Sequence, residues 1–328
     1  IVGNGYNSAN ARAALYIINL ETGALIRRIA TSAGGDNGLA APGVFDSDND
    51  GYIDHVYAGD MMGNVWKFDL SSSSPSLWGV AYAGQPLYVA KDAAGNAQPI
   101  TAQLRLVRNF VNADANFGKL FVHFGTGSYF RTGDNVTPPA GAASQSWYGL
   151  IDDGAPITTG RNELVPRTMS LSVTFAGRNV RTFSSASAND MVGKRGFYID
   201  LPQPERIITA SNTLRAVEPA LVASIIRPQF DECVPGGTGV VAAINPFTGA
   251  ALTRPFFDVN DNGSFLDDTV NGAYIGAVDL GIGMPGEAIL VGNQLVVGGS
   301  TGTMGSIRVN LGLTPVRGRL TWREVVRD

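Results

Sequence analysis

The sequence predicts an all-β protein in which short strands alternate with tight turns. Its 328 residues include 41 glycines and 17 prolines, and the apolar residues come in short clusters. Glycine and proline at this frequency disfavour long helices and are typical of turns between strands. All-β architectures of this length are often single units, so we expect one domain over residues 1–328.

Strand–turn–strand units recur along the chain. A short apolar run at Leu15–Leu20 ends in a Thr-Gly turn at Gly23, and one at Val240–Asn245 ends in the same turn at Gly249. Gly23 and Gly249 are separated by about five lengths of a four-stranded blade of roughly 40–50 residues. Further apolar runs are Ala24–Ile26, His55–Asp60, Val65–Leu70, Lys119–Phe124, Ala250–Leu252, Gln294–Gly299 and Ser306–Asn310.

Repeated hairpins without intervening helical periodicity favour the radial repetition of a β-propeller over a βαβ fold. A two-sheet sandwich is the alternative. Two segments interrupt the rhythm: Ser71–Ser76 is predicted to be a surface loop, and the polar region 158–190 an excursion from a blade edge. The first residues, Ile1–Tyr6, are typical of a buried strand entering a turn, so we expect a fragment of a longer protein.

Composition argues against two classes of function. The net charge is −4 and no block of lysine and arginine occurs, so the concentrated basic surface that nucleic-acid binding requires is absent from the sequence. No stretch of 18 apolar residues occurs, so we predict no transmembrane helix. The single cysteine, Cys233, cannot form an internal disulfide and leaves the redox compartment open.

The segment from residue 46 to residue 54, Asp-Ser-Asp-Asn-Asp-Gly-Tyr-Ile-Asp, is the strongest functional signal in the sequence. It places carboxylates at positions 1, 3, 5 and 9 and a glycine at position 6, a pattern in which a curled loop points its oxygens inward. Ca²⁺ is a hard cation that takes six to eight oxygens at about 2.3–2.6 Å. The predicted ligands are the carboxylates of Asp46, Asp48, Asp50 and Asp54 and the carbonyl of Tyr52.

This segment differs from an EF-hand. Position 12, where an EF-hand has glutamate, is Tyr57, and the apolar residues from Val56 onward predict a strand instead of a helix. We therefore predict an EF-hand-like calcium loop in a β context. The alternative is an acidic surface turn without an ion, but four like charges within nine residues repel strongly unless a cation is present.

A second segment has a weaker form of the pattern. Asp258, Asn260 and Asn262 supply oxygens at positions 1, 3 and 5, and a glycine again follows at position 6. Position 9 is a leucine, however, and the next acids, Asp267 and Asp268, come one and two places late. An ordinary Asn-Gly turn explains the segment as well as a metal site does, so both interpretations stay open.

Two enzyme motifs match by spacing but not by context. Gly281–Gly286 has the G-x-G-x-x-G spacing, but Pro285 and the apolar run after it predict a turn and a strand where a dinucleotide site needs a helix. Gly298–Gly302 has the spacing of a hydrolase elbow, whose histidine must follow the serine, yet His55 and His123 both precede it. We expect no catalytic residues and no enzyme activity.

Several segments together resemble the PilY/PilC family of type IV pilus biogenesis factors and tip adhesins. The acidic loop with the following Asp54–Asp60 and the ending Arg319–Asp328 are the most specific, and the similarity spans nearly the whole chain. Other similar segments are Gly3–Asn7, Leu15–Gly23, Gly63–Asp69, Phe124–Tyr129 and Gln145–Gly149.

The resemblance implies a modified, quinoprotein-like β-propeller of about seven blades with a calcium loop. Its ligands would be the five groups named above. This chain begins inside the family's propeller, so one or two blades are expected to be absent, which would leave open strand edges.

The resemblance also implies a function. Calcium occupancy would balance pilus extension against retraction, and the protein would support twitching motility, surface attachment and virulence. The implied partners are minor or major pilins and the host-cell surface. The implied location is extracytoplasmic, at the pilus tip, with an export signal upstream of this fragment. A quinoprotein dehydrogenase with pyrroloquinoline quinone on the propeller axis is the alternative function.

Overall fold

The computed structural model of this protein describes residues 1–312 except residues 7, 9, 33, 136–142 and 230–235. Cys233 and the segment Arg319–Asp328 lie outside the described residues. Short helical turns occur at Pro75–Leu77, Ala81–Gly84 and Gly160–Glu163. None of the described helices is long and apolar enough to cross a membrane.

The described residues form 25 strands, most of them short and bounded by turns. The first twelve are β1 (Val2–Gly3), β2 (Ala14–Ile18), β3 (Leu25–Ala30), β4 (Gly43–Phe45), β5 (His55–Gly59), β6 (Asn64–Asp69), β7 (Gly79–Val80), β8 (Tyr88–Val89), β9 (Arg105–Arg108), β10 (Leu120–Gly125), β11 (Ser146–Asp152) and β12 (Val165–Arg167). The others are β13 (Val173–Phe175), β14 (Arg178–Arg181), β15 (Gly196–Asp200), β16 (Asn212–Leu214), β17 (Ala220–Pro228), β18 (Gly237–Ile244), β19 (Phe257–Asp258), β20 (Thr269–Val270), β21 (Ala273–Tyr274), β22 (Ala277–Val278), β23 (Ile289–Val291), β24 (Gln294–Gly298) and β25 (Met304–Val309).

Within the described ranges, these strands form five sheets of three or more strands and one two-stranded ribbon, β20-β21. The first sheet has the order β1-β2-β3, and the second β4-β5-β6-β7 with β8 also paired to β6. The third is β12-β15-β11-β10-β9, the fourth β13-β14-β22-β18-β17-β16 and the fifth β19-β25-β24-β23. Consecutive hairpins pair antiparallel, whereas β12 and β15 are parallel. The predicted all-β repetition is confirmed, and the two-sheet sandwich is wrong.

Each sheet packs its face against the next sheet along the chain. Four apolar clusters fill the spaces between the first and second, second and third, third and fourth, and fourth and fifth sheets. Each cluster contains residues of both sheets, for example Leu15 and Trp66, Tyr57 and Val122, Trp147 and Ala242, and Val241 and Leu295. Stacking of this kind is the packing expected of propeller blades.

Alternation along a strand sends neighbouring residues to different clusters. In β10, Phe121 belongs to the cluster shared with the fourth sheet, whereas Val122 belongs to the cluster shared with the second sheet. In β18, Val241 faces the fifth sheet and Ala242 faces the third. Because both faces are covered, these inner strands are continuously apolar, and each large aliphatic or aromatic side chain buried there contributes about 1.5–3 kcal/mol.

Two expectations about the repeat were wrong. Ala250–Leu252 does not form a strand, because β18 pairs instead with β17 and β22. Gly23 lies between β2 and β3 of the first sheet, and Gly249 follows β18 of the fourth, so the two glycines are three sheets apart instead of about five blades. The third and fourth sheets span a longer stretch of the chain because their strands are interleaved in sequence: β13 and β14 of the fourth sheet come between β12 and β15 of the third.

Two expectations about peripheral segments were also wrong. The beginning of the chain is not a buried strand: Val2 lies in β1, which pairs with β2 at the sheet's edge, and is 48% exposed. The polar region 158–190 does not leave a blade edge as an excursion, since it supplies β12 to the third sheet and β14 to the fourth. It therefore ties two neighbouring sheets together.

A histidine lies within the packed layers. His123 in β10 is fully buried, and its Nε2 lies 2.6 Å from the carbonyl oxygen of Pro246. Its ring stacks on Phe121 with centroids 5.9 Å apart and lies 6.2 Å from the ring of Phe197. Burial lowers the pKa of His123 from 6.5 to about 4, so the folded protein holds the ring in its neutral form near pH 7.

We predict that acid destabilises the protein through His123. The unfolded chain binds a proton at His123 as the pH falls below about 6.5, whereas the folded protein resists protonation down to about 4. The contribution of neutral, buried His123 to the stability of the fold is therefore complete above pH 6.5 and is lost progressively as the pH falls toward 4. A pKa lowered from 6.5 to about 4 corresponds to a loss of about 3 kcal/mol of folding free energy once the pH is below 4.

Urea unfolding at several pH values, with wild type and His123→Gln compared, measures this effect. The variant is expected to show a shallower loss of stability with acid. Burial also lowers the pKa of the half-buried His55, so His55→Gln measures the separate contribution of the second histidine. Parallel stability curves for wild type and His123→Gln would contradict the assignment.

Candidate metal centre

The acidic loop lies at the tip of the β4–β5 hairpin. Phe45 and His55 are opposite each other at the end of the ladder, and the N–H of Asp54 donates to the carbonyl of Phe45 at 3.1 Å. The carbonyl of Asp54 in turn accepts the N–H of Leu70 at 2.7 Å. The two ends of the loop are thus held at a fixed separation by the second sheet.

The curl inside the loop follows from its Asp, Asn and Gly residues. The carboxylate of Asp46 accepts the backbone N–H groups of Asn49 at 2.6 Å and Gly51 at 2.9 Å. Asn49 has a φ of 63° and Gly51 a φ of 92°, conformations that asparagine and glycine adopt more readily than other residues. The sharp turn predicted for Gly51 is confirmed.

Three of the predicted ligands come together. The carboxylates of Asp46, Asp48 and Asp50 each offer an oxygen, and these oxygens all lie within 4.8 Å of one another. Asp48 and Asp50 are exposed to solvent, so an ion can enter without a change in the sheets. Three hard carboxylate oxygens that converge in a partly exposed loop fit a calcium ion, which also keeps water ligands.

The other two predicted ligands are placed differently. Asp54 is outside this group of carboxylates: its Oδ2 accepts both the hydroxyl and the N–H of Ser47, the latter at 2.7 Å. These hydrogen bonds, that of the Ser47 hydroxyl first, lower the pKa of Asp54. The Tyr52 side chain is 77% exposed, and its N–H donates to Asp50 Oδ1 at 2.8 Å. Of the groups of Tyr52, only the backbone carbonyl is therefore a candidate ligand.

A cavity of about 510 Å³ borders the loop. Asp50, Tyr52 and Asp54 form one part of its wall, and Trp78 and the predicted surface loop Ser71–Ser76 contribute another through Ser71, Ser72 and Ser73. The sequence did not predict this cavity, since its walls come from segments separated along the chain. Trp78 lies next to the acidic loop because β6 pairs both with β5, which follows the loop, and with β7, which follows Trp78.

The rejected enzyme motifs lie in turns, as predicted. Gly281–Gly286 leads into β23 without a helix, and Gly281 and Gly283 have φ values of 71° and 77°. The hydroxyl of Ser300 accepts the N–H of Met284 at 3.0 Å and joins two turns of the fifth sheet. These contacts are structural.

A family model described as the PilY1 beta-propeller domain matches residues 1–183, more than half of the chain. The chain belongs to the PilY1 β-propeller family. The predicted family and the predicted propeller fold are thereby confirmed. The match includes the β4–β5 hairpin and its acidic loop.

Named relatives and a solved structure agree with this assignment. A type IV pilus biogenesis factor PilY1 homologue from Xylella fastidiosa is 34% identical over 100% of this chain and 25% of that protein. PilY1 from Pseudomonas aeruginosa strain PAO1 is 32% identical over 80% of this chain and 25% of that protein. The crystal structure of the Pseudomonas aeruginosa PilY1 C-terminal domain superimposes with a TM-score of 0.77 at 28% identity, covering 95% of this chain and 69% of that one.

This PilY1-family chain therefore spans about a quarter of the length of the curated relatives it matches. The relatives are named as pilus biogenesis factors, and none of these names describes an enzyme.

The backbone of the loop yields a prediction that does not depend on an ion. A Cβ added at Gly51 or at Gly79 meets no atom within 4 Å, but Gly51 has a φ of 92° whereas Gly79, in β7, has no positive φ. In the absence of calcium, Gly51→Ala is expected to lower the free energy of unfolding by about 1 kcal/mol because of backbone strain alone.

Urea unfolding in EGTA measures this difference, and Gly79→Ala is the matched control, expected to keep the free energy of unfolding or to raise it by up to about 1 kcal/mol. Equal stability of the two variants would show that residue 51 can leave its left-handed backbone conformation without a loss of folding free energy.

Proposed function

We propose that this chain is the calcium-binding propeller of a type IV pilus biogenesis factor. The supporting observation is the convergence of Asp46, Asp48 and Asp50 on one hairpin tip in a chain of the PilY1 family. The names of its relatives support a role in pilus biogenesis. We further propose an extracytoplasmic location at the pilus tip, where the protein contacts pilins and host-cell surfaces.

Calcium binding completes a set of oxygens that the loop has partly assembled. The three converging carboxylates supply charge, and Asp54 approaches through Oδ1, because the hydrogen bonds from Ser47 go to Oδ2. The carbonyl of Tyr52 and solvent water fill the remaining positions of a six- to eight-coordinate ion. The proposed ligands are Asp46, Asp48, Asp50, Tyr52 and Asp54.

The bound ion acts by fixing the loop. Without it, neighbouring carboxylates repel each other, and with it the charge is neutralised and the loop conformation is selected. Asp50, Tyr52 and Asp54 belong both to the proposed ligand set and to the wall of the cavity. Calcium occupancy would consequently set the shape of this wall. A pilus component that binds at the cavity would then bind differently with and without calcium, which would link calcium to pilus extension, retraction, twitching motility and attachment.

We predict that the Asp48→Ala/Asp50→Ala double variant loses the calcium site in this loop. Both residues are exposed, so their removal spares the hydrogen bonds that Asp46 makes to the loop backbone. Calorimetric titration with CaCl₂ is expected to show one site fewer than wild type. At a calcium concentration 100 times the Kd, the stabilisation lost is about 2.7 kcal/mol.

Glu21→Ala/Asp36→Ala, which removes two exposed acids elsewhere, is the matched control. In the bacterium that makes the full-length protein, the double variant in the loop is expected to alter surface piliation and twitching, and the control is not. Undiminished calcium binding by the double variant would refute the site. Lost binding with normal piliation would refute the role in pilus function.

A second prediction separates the Tyr52 carbonyl from the Tyr52 side chain. Tyr52→Ala keeps the backbone ligand and removes only an exposed ring, so the Kd for calcium is expected to change by less than about twofold. Asp50→Asn removes one ligand charge and is expected to weaken binding by at least about tenfold. Calorimetry on both variants checks this, and a large loss with Tyr52→Ala would mean that the ring itself shapes the site.

A further inference from the structure

The second acidic segment, residues 258–268, lies between two strands, as the first loop does, but its strands pair with other partners: β19 with β25 and β20 with β21. Asp258 is the last residue of β19, and Asp268 immediately precedes β20. In the first loop, Asp46 follows β4 and Asp54 precedes β5. Both acidic loops therefore begin and end at a strand.

Three hydrogen bonds within the two loops match position by position, although the position 1 carboxylate also accepts the N–H of position 4 in the first loop and of position 5 in the second. The carboxylate at position 1 accepts the N–H of position 6, from Gly51 to Asp46 at 2.9 Å and from Gly263 to Asp258 at 3.1 Å. In both loops the side-chain oxygen at position 3 accepts the N–H of position 5, and that at position 5 accepts the N–H of position 7. Position 4 has a φ of 63° in the first loop and 56° in the second.

Asp268 closes the second loop as Asp54 closes the first. The N–H of Val259, at position 2, donates to Asp268 Oδ1 at 3.0 Å, and the N–H of Ser47 donates to Asp54 at 2.7 Å. Ser47 also donates its hydroxyl to Asp54, but Val259 has no hydroxyl. Among the described residues, Asp268 Oδ2 has no hydrogen-bond partner, although Asp268 is only 1% exposed.

Two other buried acids in the described part of the chain have several partners. Asp60 is fully buried and accepts a hydrogen bond from Trp66 Nε1 at 2.8 Å. Asp152 is 9% exposed, accepts a hydrogen bond from the Tyr57 hydroxyl and lies 3.0 Å from a lysine ammonium. A desolvated carboxylate without such partners is strongly disfavoured. Asp268 therefore lacks the compensation that Asp60 and Asp152 have, and a bound cation would supply it.

The protein cation that contacts this loop does not reach Asp268. Arg308 lies on β25 opposite Asp258, and its Nη1 is 3.3 Å from Asp258 Oδ2. Its Nη2 is 3.8 Å from Asp261. Within the described part of the chain, no basic side chain lies within 4.0 Å of the Asp268 carboxylate. Arg308 offsets part of the charge of Asp258 and leaves Asp268 uncompensated.

Asp267 has a different role from Asp268. Its Oδ2 accepts the side-chain N–H groups of Asn260 at 2.9 Å and Asn262 at 2.7 Å. These hydrogen bonds orient the two amides so that each Oδ1 faces the loop, where it accepts a backbone N–H. Asp267 is thus a positioning residue, and Asp268 is the acid available to an ion.

We propose that residues 258–268 form a second site for a hard divalent cation such as Ca²⁺. Its ligands are the carboxylates of Asp258 and Asp268 and the amide oxygens of Asn260 and Asn262. Two charged ligands are fewer than the first loop offers, so the second site binds calcium more weakly. This inference concerns a different loop and does not rest on the function proposed above.

Calorimetric titration with CaCl₂ of the whole chain tests the proposal. Wild type is expected to bind two ions per chain, and the Asp48→Ala/Asp50→Ala variant one, at the weaker site. Adding Asp268→Asn to that variant is expected to weaken the remaining site at least tenfold. Asn262→Ala, at an exposed position, is expected to weaken it as well without affecting folding.

A second readout does not depend on measured affinity. In EGTA, Asp268→Asn removes an uncompensated buried charge, so its melting temperature is expected to exceed that of wild type. In CaCl₂ the order is expected to reverse.

The outcomes for the two loops are distinguishable. If wild type binds one ion and the Asp48→Ala/Asp50→Ala variant none, the second site is overturned and the first stands. If wild type and the Asp48→Ala/Asp50→Ala variant each bind one ion, and Asp268→Asn abolishes that binding, the first site is overturned and the second stands. An Asp268→Asn effect on melting that is identical in EGTA and in CaCl₂ would also overturn the second site.

Discussion

The structure depends on the burial of both faces of its inner sheets. Because Phe121 and Val122 point to different clusters, the third sheet joins its neighbours on both sides, and the second and fourth sheets do the same. Burial on two faces supplies most of the stabilising free energy and demands nearly uninterrupted apolar strands. It also explains why the polar His123 is held neutral, with its ring against aromatic side chains and its Nε2 at a carbonyl.

The same constraint confines the candidate ion-binding residues to loops at the ends of strands. Sheet faces that are filled by packing have no room for hydrated ligands, so carboxylates that bind an ion must lie where strands end and water enters. Both acidic loops are in this position, after β4 and after β19. Each loop is short enough that the flanking strands hold its ends, while the residues between them keep the freedom to arrange oxygens around an ion.

Prediction from sequence was most successful where the physics is local. Strand periodicity predicted the hairpins of His55–Asp69 and of β24 with β25, and Asp46, Asp48 and Asp50 were predicted as convergent from their spacing alone. It was wrong where partners are distant: Ala250–Leu252 has a strand's composition, but β18 is already paired on both sides. Likewise, nothing near Asp54 in the pattern indicated that Ser47 would hold one of its oxygens.

By itself, then, the sequence determined the all-β class, the turns that need glycine or asparagine, and a donor set of hard oxygens suited to calcium. These features depend on residues a few positions apart, whose geometry the backbone restricts. The tertiary structure alone decided which sheet faces meet, which segments enclose the cavity, and which buried acid lacks a partner. The position of Val259 where the first loop has Ser47 becomes meaningful only once folding has buried Asp268, because the cost of an unpaired charge depends on its exclusion from water.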